Sequence, residues 1–121
     1  MQIYKSKFFR RWASSVGLSD KGLKVAVSEI ESGLIDADLG GFVLKKRIAI
    51  GGRGKRGGVR SVLVYKKGEV VFFIYGYSKN EKDNISEDQL KALKQLAREL
   101  LSYDEKKIEI LVKDEELFEV V

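Results

Sequence analysis

The stretch Val70-Val71-Phe72-Phe73-Ile74-Tyr75 is almost continuously apolar. A strand with one wet face alternates apolar and polar residues, so an unbroken run reads as a central strand covered on both faces. Two more β-runs precede it, at 42–50 and 59–65, and both alternate. In the first, Val43, Lys45, Arg47 and Ala49 alternate with Leu44, Lys46, Ile48 and Ile50. In the second, Val59, Ser61, Leu63 and Tyr65 alternate with Arg60, Val62 and Val64. Lys66-Lys67-Gly68-Glu69 reads as a tight hairpin between the last two runs.

Helical periodicity flanks these strands. Ile3-Tyr4 is short enough for an edge strand. Phe8, Phe9, Trp12 and Val16 then recur at helical spacing as far as Gly17, with the aromatics expected in packing. Ser19 is a good cap for a second helix, whose apolar stripe is Leu23, Val27, Ile30 and Leu34. Residues 36–41 read as a loop. Ser86-Glu87-Asp88-Gln89 is a capping-box signature that opens a leucine-rich helix reaching Leu101. Beyond Asp104, a short helix around Ile108, Leu111 and Val112 and a terminal strand at 117–121 fit the pattern, and the acids of this stretch read as a solvated face. The expected class is α+β: a small, twisted, mainly antiparallel sheet with helices packed on one face and the other left open. One domain is expected over 1–121, with 104–121 as a C-terminal extension.

Charge is distributed unevenly over that frame. From Leu39 to Gly68 thirty residues pass without a carboxylate, while nine cations occur among them. Residues 1–82 carry a net +10 and residues 83–121 a net −5, within a total of +5. Such a run favours a polyanionic partner, nucleic acid above all. Cysteine and histidine are both absent, which removes disulfides, a thiolate nucleophile, the usual neutral-pH base and the commonest metal ligands. Any catalysis must therefore run on Lys, Arg, Tyr, Glu or Asp, and neither metal nor cofactor is expected. No apolar segment approaches the ~20 residues of a membrane span, and the first residues lack an apolar signal core. A cytoplasmic, unprocessed protein is the expectation.

The centre of the basic run is Arg53-Gly54-Lys55-Arg56-Gly57-Gly58-Val59-Arg60. It lacks the Ser or Thr of a P-loop and leads into a strand rather than a helix, so it is not a nucleotide-binding loop. Arg60, just inside a strand, would be held rigidly enough to grip phosphate bidentately. A second cluster, Tyr75-Gly76-Tyr77-Ser78-Lys79-Asn80-Glu81, leaves the central strand. If the two strands are antiparallel neighbours, both clusters meet at one rim of the sheet. Lys55, Arg56, Arg60, Tyr75, Lys79, Asn80 and Glu81 then share one patch. Tyr75 and Tyr77 are the candidates for stacking on bases, and Arg53, Lys45 and Arg47 extend the RNA-binding cations.

These motifs, in this order, resemble the RelE/HigB-type toxins of bacterial type II toxin–antitoxin systems. The likeness rests on Gly54-Lys55-Arg56-Gly57-Gly58-Val59-Arg60 and on the stretch from Val71 through Tyr77-Ser78-Lys79-Asn80-Glu81 to Ile85. It extends to Trp12-Ala13, Gly17-Leu18-Ser19-Asp20 and the segment 33–41. The resemblance implies an antiparallel sheet flanked by helices and an endoribonuclease that cuts mRNA, usually at the ribosomal A site. It also implies a neutralising antitoxin, for which a helix-turn-helix protein is the expected form. Carried across, the GKRGG-x-R motif places phosphate-binding and catalytic cations at Lys55, Arg56 and Arg60, and the YG-x-x-KNE motif adds Tyr75, Lys79, Asn80 and Glu81. The expected catalytic set is Lys55, Arg60, Lys79 and Glu81. The chain departs from the family in one respect: the family's sites rely on a C-terminal tyrosine, and although Tyr103 lies just past the leucine-rich helix, no motif aligns it with that residue. Attack by the RNA's own 2′-hydroxyl is the expected chemistry, with cations stabilising the transition state. Two other readings use the same scaffold: a binder of nucleic acid or protein without catalysis, and a superfamily toxin acting on a protein target such as gyrase.

Overall fold

The computed structural model of the chain describes residues 1–51, 54, 57–78 and 85–121. In chain order the elements are β1 (Gln2–Ser6), α1 (Lys7–Val16), α2 (Asp20–Glu31), β2 (Ala37–Gly40), β3 (Val43–Ile48), β4 (Val59–Lys66), β5 (Val70–Ser78), α3 (Glu87–Ser102), α4 (Glu105–Lys113) and β6 (Leu117–Glu119). The strands form one sheet in the order β2-β3-β4-β5-β1-β6. Every pairing is antiparallel except β1 with β5. The α+β class and the mainly antiparallel sheet are as expected.

Local chemistry explains the boundaries. The Ser6, Ser19 and Asp104 side chains accept hydrogen bonds from the first-turn amides of α1, α2 and α4. Ser86 and Gln89 complete a reciprocal capping box on α3. Gly17 ends α1 at φ 76, a left-handed conformation that costs glycine little. Helix α2 buries Leu23, Ala26, Val27 and Ile30, the spacing of a single helical face.

Three expectations change. Ile3-Tyr4 does not form an edge: β1 lies between β5 and β6, and β6 closes the sheet. Part of the expected loop 36–41 is β2, which pairs with β3. Helices also cover both faces of the sheet rather than one. Against one face α1 and α2 pack Phe9, Ala13, Leu23 and Val27 on Leu44, Leu63, Val71 and Phe73. Against the other, α3 packs Ala97 and Leu100 on Val43, Val62, Val64 and Phe72. The reason lies in β4 and β5, whose apolar side chains point both ways, so each face needs a cover.

Strand β5 is buried through its middle, with Val71, Phe72, Phe73 and Ile74 at 6% exposure or less. A bulge in this strand sets the direction of its last side chains. Val62 pairs with Tyr75 but Leu63 pairs with Phe73, leaving Ile74 as an extra residue. The extra residue inverts the alternation of β5 beyond it. Tyr75 and Tyr77 turn towards the α3 face, and Gly76 lies beneath the Trp12 ring, where a Cβ would collide.

Candidate phosphate-binding site

Strand pairing sets the geometry of the site. Arg47 pairs with Arg60, and Arg60 with Tyr77, making one row across β3, β4 and β5. Lys45, Val62 and Tyr75 form the next row on the same face. Rows two residues apart along a strand are about 7 Å apart. The five described candidates, Lys45, Arg47, Arg60, Tyr75 and Tyr77, therefore occupy adjacent positions on the α3 face of the sheet, at the end that β4 enters and β5 leaves. Val59 pairs with Ser78, so the two sequence motifs emerge side by side. Arg53, Lys55, Arg56, Lys79, Asn80 and Glu81 lie outside the described residues.

Lys45, Arg47, Arg60 and Tyr77, with Asp36, border a concavity of about 290 Å³. Two of these lining residues carry a buried polar atom, Arg60 Nη1 and Tyr77 Oη, neither with a hydrogen-bond partner among the described residues. Leaving such an atom unpaired costs about 1–3 kcal/mol, and more for a charged group. A site with two donors held ready in this way is matched to an acceptor, and the surrounding charge favours an anion.

Tyr77 behaves differently from the expectation. Its ring is 2% exposed and packed in the core beneath α3, so it cannot stack on a base. Tyr77 still contributes to the lining of the concavity. Tyr75 is partly exposed and lies between two aromatic rings, 5.7 Å from Phe8 and 5.9 Å from Tyr77. Phe8, expected in packing, is 55% exposed and is the outer member of this ladder.

The carboxylate-free run acquires counter-ions from outside itself. Lys46 is buried on the α2 face and bonds Glu29 at 2.8 Å, so it serves the core rather than a ligand. Lys66 meets Glu69 at 3.3 Å. Asp36 accepts from the Arg47 amide at 2.5 Å and from its Nε at 2.7 Å. Burial pushes the Asp36 carboxyl up, but the bonds to Arg47 and the charges of Arg47 and Lys46 outweigh it and hold the group below its ordinary 3.8. Arg47 is thus an aimed but half-neutralised cation. Asp36 was not foreseen in this role; its place just before the basic run was the available signal. Lys45, Arg60 and Lys67 have no ion pair among the described residues.

The motif glycines have structural duties. A Cβ on Gly58 would strike the Ile48 carbonyl oxygen, so the close return of the chain onto β3 requires glycine there. Gly54, at φ 69, lies in the left-handed region that favours glycine, with no described atom within 4 Å of where a Cβ would stand. Tyr103 lies elsewhere: it lines a groove with Gln2, Tyr4 and Val70, at the other end of β5. The acids of α4 and β6 line that same groove and do not border the basic concavity.

Among the described residues no cluster of His, Cys, Asp or Glu could hold a metal, and no helix is long and apolar enough to cross a membrane. A family model described as the RelE toxin of the RelE/RelB toxin–antitoxin system matches residues 1–120. No curated protein matches the chain.

Proposed function

The chain belongs to the RelE toxin family, and from that premise we propose that it is a metal-independent endoribonuclease that cleaves mRNA at the ribosome and is silenced by a cognate antitoxin. The observation that carries this reading is the pair of buried donors, Arg60 Nη1 and Tyr77 Oη, held without partners among the described residues at a cationic concavity. A phosphodiester supplies the acceptor oxygens that both lack. Arg60 is fixed on β4 between Arg47 and Tyr77, so its guanidinium meets the phosphate without reorganising at the moment of reaction.

In the proposed reaction the 2′-oxygen forms a bond to the adjacent phosphorus while the bond from phosphorus to the 5′-oxygen breaks. The products are a 2′,3′-cyclic phosphate and a 5′-hydroxyl. The 2′-proton passes to a base, for which Glu81 and a lysine, Lys55 or Lys79, are the candidates; the leaving 5′-oxygen takes up a proton. Arg60 and Tyr77 bind the non-bridging oxygens and offset the charge that builds there. Lys45 and Arg47 hold the neighbouring backbone, as do Arg53 and Arg56, while Tyr75 and Asn80 contact a base.

The test is to add the purified protein to translating ribosomes and map mRNA 5′ ends. Discrete new ends carrying 5′-hydroxyls are expected, and a single 2′-deoxy nucleotide at a mapped position should abolish cleavage there. Intact message with arrested translation would point to a non-catalytic binder, and intact message with undisturbed translation to a protein target.

A further inference from the structure

The same face of the sheet carries a second polar concavity, at the end where β5 begins. It measures about 330 Å³ and lies between the sheet, the end of α3 and α4. Phe72, Tyr4 and Glu119 form a row across β5, β1 and β6 at its floor. Glu105 and Glu109 descend from α4, and Glu69 borders it from the hairpin. The one cation in its lining among the described residues, Lys66, pairs with Glu69 at 3.3 Å, and the Lys107 ammonium stands 5.5 Å from the ring centre of Tyr103, another lining residue. Glu105, Glu109 and Glu119 have no ion pair among the described residues.

A group of acids alone would be an ordinary solvated face. Tyr4 separates this groove from that case. It is only 5% exposed, its ring stacks on Phe72 at 5.5 Å, and it lines the groove. No hydrogen-bond partner exists for its hydroxyl among the described residues. Burial, then Glu119 and Glu105, raise its phenol above the ordinary 10.0, so the hydroxyl stays protonated among carboxylates. The hydroxyl of a buried ring, without a partner among the described residues and beside acids that have no ion pair among them, suits a ligand with several N–H donors.

We propose that this groove is the docking site for an arginine side chain carried by a protein partner. The carboxylates are too dispersed for one small ion, since no described group of acids has metal-ligand geometry. A guanidinium suits such a spread: its five donors fan out in one plane and can reach several carboxylates at once. The source is a protein segment because Glu119 sits on β6, the last strand of the sheet. Its outer backbone edge gives an incoming chain hydrogen bonds beside the groove. This site is independent of the ribonuclease reading and lies at the far end of β5 from Arg60.

Calorimetric titration of the whole chain with the peptide Gly-Arg-Gly-Arg-Gly tests the assignment. Saturable one-to-one binding is expected, with Gly-Lys-Gly-Lys-Gly at least about fivefold weaker, because an ammonium offers no planar fork. Tyr4→Phe keeps the stack on Phe72 and removes one bond to a charged group, so it should weaken binding about tenfold. Glu105→Gln combined with Glu119→Gln should abolish it. Equal affinity for both peptides, unmoved by Tyr4→Phe, overturns the proposal, as does the absence of saturable binding. Amide shifts of the unaltered protein give a check free of folding effects: they must gather at Tyr4, Glu105 and Glu119, and changes confined elsewhere also overturn it.

Discussion

Two ends of one sheet face are built alike and charged oppositely. At each, a tyrosine is buried by ring packing, Tyr77 against Tyr75 and Tyr4 against Phe72, and lines a concavity with a hydroxyl that has no partner among the described residues. Around Tyr77 stand Lys45, Arg47 and Arg60; around Tyr4 stand Glu105, Glu109 and Glu119. The sheet supplies the rigid floor in both cases, and the sign comes from which part of the chain is laid beside it. Strands β3 and β4 come from the carboxylate-free run, whereas α4 and β6 come from the acidic last third. From Tyr77 to Phe72 is five residues of strand, about 17 Å, beyond the ~8 Å over which physiological salt screens exposed charges. The ends can therefore carry opposite fields and meet different partners, one anionic and one cationic.

The functional difference between the two ends is concentrated at Arg60. In the proposed ribonuclease Arg60→Ala removes a fixed donor from the phosphate and should lower the cleavage rate by about 10²–10³-fold. Arg60→Lys should recover little, since an ammonium lacks the second N–H arm. Lys66→Ala, which alters a cation at the acidic end, should change the rate less than about twofold. Equal small losses in Arg60→Ala and Lys66→Ala would mean that the basic end attracts RNA only diffusely.

Tyr77→Phe is expected to have the next largest effect, and it separates function from folding. The ring and its packing stay, and only an oxygen without a partner among the described residues is removed. Cleavage should fall about tenfold, the loss of one hydrogen bond to a charged group, while stability to urea stays within about 0.5 kcal/mol or rises. A parallel loss of both would show that the hydroxyl supports the fold and does not serve a ligand.

How much of this was legible in the sequence depends on the range of the forces involved. The caps at Ser19 and Ser86, the stop at Gly17 and the hairpin at Gly68 are local, and each was readable from a few neighbouring residues. The neighbouring of the two motifs was also readable, because consecutive antiparallel strands need only a short turn between them. The place of β1 was not: its parallel pairing with β5 joins residues nearly seventy positions apart and leaves no local mark. Nor was the aim of Tyr77. In a run apolar on both sides alternation carries no face information, so the bulge at Ile74 was invisible; Gly76 was its only trace. The cover on the second face could have been inferred from Val62 and Val64, which are apolar opposite an equally apolar Leu63. The catalytic candidates Lys55, Lys79 and Glu81 rest on motif position alone, since they lie outside the described residues.

A subtler change sharpens the contrast from within the basic end. Asp36→Asn keeps an oxygen for the Arg47 amide but removes the carboxylate that half-neutralises Arg47. RNA affinity at low salt should rise a few-fold, and the dependence of log affinity on log salt should steepen by about 0.7, the value of one more phosphate neutralised on a single strand. The carboxyl is held below 3.8, so its contribution to the fold is complete above that pH and is lost as the solution is acidified through the lower folded value. The variant should therefore differ from the parent in salt dependence throughout the neutral range, with no pH step there. An unchanged salt slope would place Arg47 outside the RNA contact.

The smallest effect belongs to the acidic end and concerns Tyr4. Its phenol is raised above 10.0, first by burial and then by Glu119 and Glu105, so the folded chain keeps this proton to higher pH than the unfolded chain does. The corresponding stability is fully present below the unfolded value and is lost as pH rises through the folded one. Urea midpoints taken at neutral pH and at pH ~11, one unit above the ordinary phenol value, should therefore fall less for Tyr4→Phe than for the parent. Glu119→Gln should lie between them, because it removes one carboxylate and leaves the burial untouched. If Glu119→Gln instead matched the parent, burial alone would govern Tyr4, and the acids would stand too far from its oxygen to share a bound cation with it.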